Sequence, residues 1–427
     1  MVVRLWRRNV TALGELMENV SGTARHITLD AMRGFAVMGI LAMNIVAFAM
    51  PEWAYVTPLA YGGETQSERT AWLISFILID GKMRGLFSLL FGASMMLIIE
   101  RADAKGESAA RVHYSRMFWL ALFGLAHFFF IWMGDILFLY AIIGCVAFLF
   151  RNWEPRRLIK CALIIFAIGT LVWGVQFGGL QVMQMLATAP GASPELAKQF
   201  REIMDSPDFD FDTARQLALH RGDYAGIVAD KLKDWAQPFG LVLQSGAETL
   251  PLMMIGMAVK KNGFITGDWA RAEYARWAKM LLIPGLFLSA LVAGSVAYAG
   301  YDKLAALGAL FAWGAIPRLM LTIGYAALLV MLIERMAGSG LIKRIAAAGQ
   351  VAFTNYLGTS IIMTTIFYGY GLGLFGFVSR VELWLFVVAA WALMLLWSKP
   401  WLSHFRYGPL EWVWRSLARG KIQPLRR

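Results

Sequence analysis

Residues 124–144 read GLAHFFFIWMGDILFLYAIIG and put a histidine, His127, and an aspartate, Asp135, into an otherwise apolar hairpin. From Met117 to Phe150 the chain is long enough for two membrane crossings, with one tight turn near Gly134. An ionisable group near mid-bilayer costs about 2.5 kcal/mol or more unless it faces a polar interior. A hairpin that keeps two such groups points to a use for them. The plainer alternative is a satisfied pair that only locks two helices together.

The rest of the chain agrees with a membrane setting. Hydrophobic residues make up 59% of the 427 and charged ones 16%, a balance that a soluble domain of this size could not bury. Apolar runs reach about 20 residues and do not alternate with a period of two, so an all-α polytopic transmembrane bundle is expected rather than a barrel. The net charge is +12. Its basic residues flank apolar segments, as cytoplasmic loops and an anionic leaflet require, so membrane lipids and not nucleic acid are the expected partner. Cys145 and Cys161 lie in or beside apolar segments and suit neither a disulfide framework nor a zinc site. The first twenty residues lack the apolar core of a secretory signal, and the first apolar run, Phe35 to Met50, reads as an uncleaved anchor.

Ten spans account for the pattern, at about 32–50, 80–99, 116–133, 136–150, 159–182, 238–259, 277–299, 305–334, 348–369 and 381–398. Every second loop is basic. Arg4, Arg7, Arg8 and Arg25 precede span one, Arg101, Lys105 and Arg111 follow span two, and Arg151, Arg156, Arg157 and Lys160 follow span four. The positive-inside rule then puts both termini in the cytoplasm. The organisation expected is a basic arm (1–30), an N-terminal bundle with the hairpin (31–182) and an external amphipathic helical segment (183–237). A C-terminal bundle (238–400) and a cytoplasmic interfacial tail (401–427) follow. The acidic cluster Asp205, Asp208, Asp210 and Asp212 has no EF-hand spacing and reads as a solvated face, so no metal is expected.

Several polar groups are placed to meet inside the bundle. Asp30 and Arg33 are three apart on span one and can pair, and Asn44 lies three turns from Arg33 on the same face. Asp80, Gly81, Lys82, Arg84 and Gly85 interrupt a run too long for one crossing, which makes residues 71–79 an interfacial or re-entrant piece. Depth counting brings Lys82, Arg84, His127 and Asp135 together toward the outside. Glu248 and Arg318 sit deep, where a lone charge needs a partner or a wet cavity, and pairing with each other is one solution. Gln350, Asn355, Tyr356, Thr359 and Ser360 add polar positions to span nine, some as helix glue.

This set suits catalysis or transport. His127 is the candidate general base, with Asp135 orienting it. Arg33 and Arg116 are candidates for phosphate groups of a cytosolic donor, and Lys82, Arg84, Glu248, Arg318, Asn44 and Asn355 are assigned to the cavity lining. His127→Ala is expected to remove activity and spare stability. The alternatives are a proton-linked small-molecule transporter, with Glu248 and His127 changing protonation, and a non-catalytic scaffold.

The segments LDAMRGFAVMGILAMNI (29–45), GLFSLLFG (85–92), the hairpin, FTNYLGTSIIMTTIFYGYGLGLFG (353–376) and HFRYGPLEWVWR (404–415) resemble the YeiB-like family of bacterial inner-membrane proteins. The hairpin pair and the 408–412 GPLEW tail are the specific signals. That family is in turn similar to transmembrane acyltransferases such as heparan-α-glucosaminide N-acetyltransferase, most visibly at Arg33 and Gly34. The resemblance implies a ten- or eleven-helix bundle, no permanently bound cofactor, an acyl-CoA donor substrate and a small-molecule, glycan or lipid acceptor on the far side, with a homo-oligomer compatible. The heparan enzyme carries its catalytic histidine after the first span. Residues 51–79 contain none here, so His127 would substitute from another helix.

Overall fold

The computed structural model describes residues 27–206, 209 and 212–427. Residues 1–26 of the basic arm, with its arginines, and Asp208 and Asp210 lie outside the described residues. In chain order the helices are α1 (Ile27–Ala49), α2 (Trp53–Val56), α3 (Gln66–Leu78), α4 (Lys82–Asp103), α5 (Ala109–Phe130) and α6 (Leu137–Ala147). Next come α7 (Pro155–Thr188), α8 (Pro194–Met204), α9 (Thr213–Arg221), α10 (Tyr224–Lys233), α11 (Gln237–Lys261) and α12 (Arg271–Tyr298). The chain closes with α13 (Lys303–Gly308), α14 (Ala315–Arg335), α15 (Gly340–Gln350), α16 (Ala352–Phe367), α17 (Leu383–His404) and α18 (Pro409–Arg419). Among the described residues there is no strand, only an isolated bridge between Phe405 and Arg426.

Seven helical stretches are long and apolar enough to cross a membrane: α1, α3 with α4, α7, α11, α12, α14 and α17. The protein is a multi-pass helical membrane protein. α7, α12 and α17 turn Leu171, Val175, Ile283, Phe287 and Leu385 outward, as a hydrocarbon solvent permits. α1 is more enclosed. α4 and α11 approach closely because each offers a glycine to the other's backbone: a Cβ on Gly92 would lie 2.0 Å from the Met253 carbonyl, and one on Gly256 2.0 Å from that of Leu89.

Breaks in the helices follow from the sequence. The interruption after span residue 79 is present: α3 ends at Leu78, and Gly81 takes a φ of 67°, which glycine adopts without strain. The expected single span over 305–334 is divided. Pro317 has no N–H to give the preceding turn, and residues 309–313 form a π-turn between α13 and α14. The Arg318 guanidinium donates to the Leu310 carbonyl in that turn. Span nine is likewise divided at Val351, between α15 and α16.

α9 and α10 dock on one end of the bundle. Lys231 donates to the Ile131 carbonyl at 3.1 Å, Tyr224 to that of Phe130 at 2.8 Å and Arg221 to that of Phe375 at 2.9 Å. At the opposite end, α18 meets the turn between α4 and α5, where Arg419 lies 3.6 Å from Glu107. That end gathers the basic loop residues.

Candidate functional site

A cavity of about 460 Å³ opens at the basic end, between α1, α4, α5, α6, α16 and α18. Five arginines line it, Arg33, Arg101, Arg116, Arg406 and Arg415, against two carboxylates, Asp30 and Glu411. Deeper in, the walls become Phe87, Phe91, Met117, Leu120, Ile136 and Leu137. Along α4 the distance from Arg101 to Phe87 is about 21 Å, so the cavity runs from a cationic mouth into the apolar half of the bundle. A second basic recess, of about 660 Å³, shares Arg101, Arg116 and Arg415 with it and adds Lys105, Arg111 and Arg419. Such a shape suits an amphiphile with an anionic head.

Both phosphate-binding candidates lie here. Arg33 is held by Asp30 at 3.0 Å, as its spacing predicts, and by Ser94 at 3.0 Å. Arg116 stacks on Trp414 at 4.1 Å, and its Nε has no hydrogen-bond partner. The GPLEW tail builds the wall. Glu411 accepts from the Phe353 and Thr354 amides at 2.7 and 3.0 Å and from the Thr354 hydroxyl, so its carboxylate caps the start of α16. Burial lifts the Glu411 carboxyl above the ordinary carboxylate range, and these hydrogen bonds partly offset it. Sequence reasoning missed Arg406, Glu411 and Arg415 as lining groups. The motif was visible, but a surface tail gives no sign that it folds back over a cavity.

The hairpin pair is in contact. His127 Nδ1 lies 2.8 Å from Asp135 Oδ1, with both side chains almost fully buried. Asp135 Oδ2 accepts from the Phe138 amide at 2.8 Å, so the carboxylate also starts α6. A carboxylate only accepts, which puts a proton on His127 Nδ1; in the neutral imidazole Nε2 is then the lone pair. That Nε2 has no protein hydrogen-bond partner.

The predicted outer cluster is not one cluster. Arg84 pairs with Glu248 at 2.8 Å and Arg318 reaches the same carboxylate oxygen at 3.4 Å, whereas Lys82 donates to the Phe76 carbonyl. Arg84 is taken up by Glu248 of α11 and Lys82 by a carbonyl of α3, and His127 pairs with Asp135 elsewhere. The Glu248–Arg318 pairing, which the sequence left open, is present. Asn355 does not line the cavity. It donates to the Ala348 carbonyl at 3.0 Å and accepts from Trp397 at 2.9 Å, joining α15, α16 and α17. Asn44 is buried on α1 outside the cavity lining.

Apolar helices around a cavity with a charged mouth define the class: a multi-pass helical membrane protein with an internal amphiphilic site. The chain is 30% identical over 410 residues to the uncharacterised protein YeiB of Escherichia coli (strain K12), covering 92% of this chain and 96% of that protein. It is 31% identical over 410 residues to the uncharacterised protein YxaH of Bacillus subtilis (strain 168), covering 93% and 95%. A family model described as a protein of unknown function (DUF418) matches residues 258–421. The chain belongs to the YeiB-like family.

Proposed function

We propose that this protein is a bacterial inner-membrane acyltransferase-like enzyme. It takes an acyl group from a cytosolic acyl-CoA and passes it to an acceptor on the outer side. The observation that carries the reading is the cavity: arginines at the mouth match phosphates, and the aromatic and aliphatic depth matches an acyl chain. His127, oriented by Asp135, is the general base, and Arg33 and Arg116 hold phosphate oxygens. In this reading the basic end is cytoplasmic, the chain makes ten crossings with both termini inside, and 189–234 is outside. Reporter fusions at 60, 210 and the C-terminus test the orientation. An active cytoplasmic reporter at 210 overturns it.

The donor is tested by thermal melting of the purified protein with palmitoyl-CoA or acetyl-CoA. At about one hundred times Kd the ligand adds about 2.7 kcal/mol of stability. Arg33→Ala or Arg116→Ala removes a charge-assisted contact worth about 1.5–3 kcal/mol, so each weakens binding about tenfold or more. No stabilisation by either acyl-CoA, together with solute uptake in proteoliposomes, favours the second reading, a proton-linked transporter. The interrupted α3–α4 run beside the buried Arg84–Glu248–Arg318 network favours that alternative.

A further inference from the structure

The cavity and the His127–Asp135 pair lie on two sides of one ring. Tyr356 lines the cavity, is 6% exposed, and meets the His127 imidazole edge-on at 5.3 Å between centroids. Its hydroxyl donates to the Gly134 carbonyl at 3.2 Å and accepts from the Ile136 amide at 3.3 Å. Those two residues flank Asp135, so the ring is pinned to the turn that carries the carboxylate. Ile136 also lines the cavity, whereas His127 does not.

Behind the ring are two unsatisfied groups. His127 Nε2 and Trp132 Nε1 are both buried without a hydrogen-bond partner, and their rings lie 6.3 Å apart between centroids. Trp132 is held in place by stacking on Phe48 at 3.9 Å. With the imidazole neutral, Nε2 is an acceptor, and the indole N–H is a donor. A hydroxyl or water oxygen satisfies both at once. An ammonium cannot, because it has no acceptor for the indole N–H. The large majority of buried polar side-chain atoms in native proteins are hydrogen-bonded, so two orphans on neighbouring rings mark a place for a polar group.

We propose that His127 Nε2 and Trp132 Nε1 form a subsite for a hydroxyl oxygen, joined to the basic-end cavity by a passage that the Tyr356 ring closes. Its part in acyl transfer rests on the reading above, but the passage itself does not depend on what the donor is. Two weak backbone hydrogen bonds hold the ring, and swinging it about its Cα–Cβ bond would open the wall between Ile136 and His127. The hydroxyl thus acts as a latch on the turn as well as a part of the wall.

Thiol accessibility tests this on the purified full-length protein without any ligand. With Cys145 and Cys161 replaced by alanine, His127→Cys and Ile136→Cys are each treated with a small methanethiosulfonate. The Ile136→Cys thiol, on the cavity wall, is expected to react fast with Tyr356 intact and the His127→Cys thiol slowly. Adding Tyr356→Ala should raise the His127→Cys rate by about tenfold or more, because rate follows the open population, and change the Ile136→Cys rate by less than about twofold. Tyr356→Phe keeps the ring and loses the latch, so a rise of about threefold is expected from it even if the alanine variant does not fold. Equal rates for both thiols with Tyr356 intact overturn the proposal, as does a His127→Cys rate that neither Tyr356 variant changes. Failure of acyl-CoA to stabilise the protein leaves these rates as they are, so the two readings fail separately.

Discussion

Asp135→Asn is expected to lower acyl transfer by about four orders of magnitude while the protein stays folded. The Phe138 amide donates to Asp135 Oδ2 and His127 Nδ1 faces Oδ1. An asparagine offers one carbonyl oxygen, and the Phe138 N–H claims it. The amide NH2 then faces His127 Nδ1, which must become an acceptor, and the proton moves to Nε2. The base is lost because the wrong nitrogen carries the hydrogen. His127→Gln should be about as inactive, since no imidazole remains. For His127→Ala the buried contact predicts a loss of stability as well as of activity. The change leaves a buried carboxylate without its partner, which costs about 3–5 kcal/mol. Transfer from labelled acyl-CoA and thermal melting, measured on all three, separate the roles. Wild-type transfer by Asp135→Asn means that the pair is helix glue.

Glu248→Ala is expected to be the most destabilising single change at the charge network, by about 3 kcal/mol, because it strands two guanidinium groups inside the bundle. Arg84 and Arg318 both rely on one carboxylate oxygen, and the Arg318 side chain is only 8% exposed. Glu248→Gln keeps a hydrogen-bond acceptor and should lose about half as much. Combining Glu248→Met with Arg84→Met should recover part of the loss, since the second change removes one of the stranded charges. Melting in detergent gives the cycle. A Glu248→Ala protein as stable as wild type would show that the arginines find other acceptors, and the network would then have no structural role.

The two variants probe features that the sequence revealed unequally. The hairpin and its two polar groups were legible in the sequence, but their direct contact, Nδ1 to Oδ1 at 2.8 Å, was not, because the geometry of the turn sets it. Asp30 with Arg33 was legible from its three-residue spacing, and so was the break at Gly81, where a run too long for one crossing carries three charged groups, Asp80, Lys82 and Arg84. Depth made a Glu248–Arg318 pair possible without deciding it. The stronger contact of Glu248 to Arg84 was not legible, because nothing local says which face of α11 meets α4. The glycine pair Gly92 and Gly256 makes that approach, and it is seen only once the helices are packed.

By itself the sequence determined the membrane class, the helical architecture, the basic pattern of alternate loops and the local pairs. Each of these depends on composition or on spacings within one or two helical turns, which the backbone geometry converts directly into neighbours. Tertiary structure alone decided that Lys82 and Arg84 stand apart from His127, and that Asn355 is a helix joint. It also decided that the GPLEW tail folds back so that Glu411 caps α16 and Arg415 faces Arg33 across one cavity. The physical reason is that a buried polar group takes whichever partner packing brings within about 3 Å, and residues 58 or 164 positions apart in the chain carry no local trace of that choice.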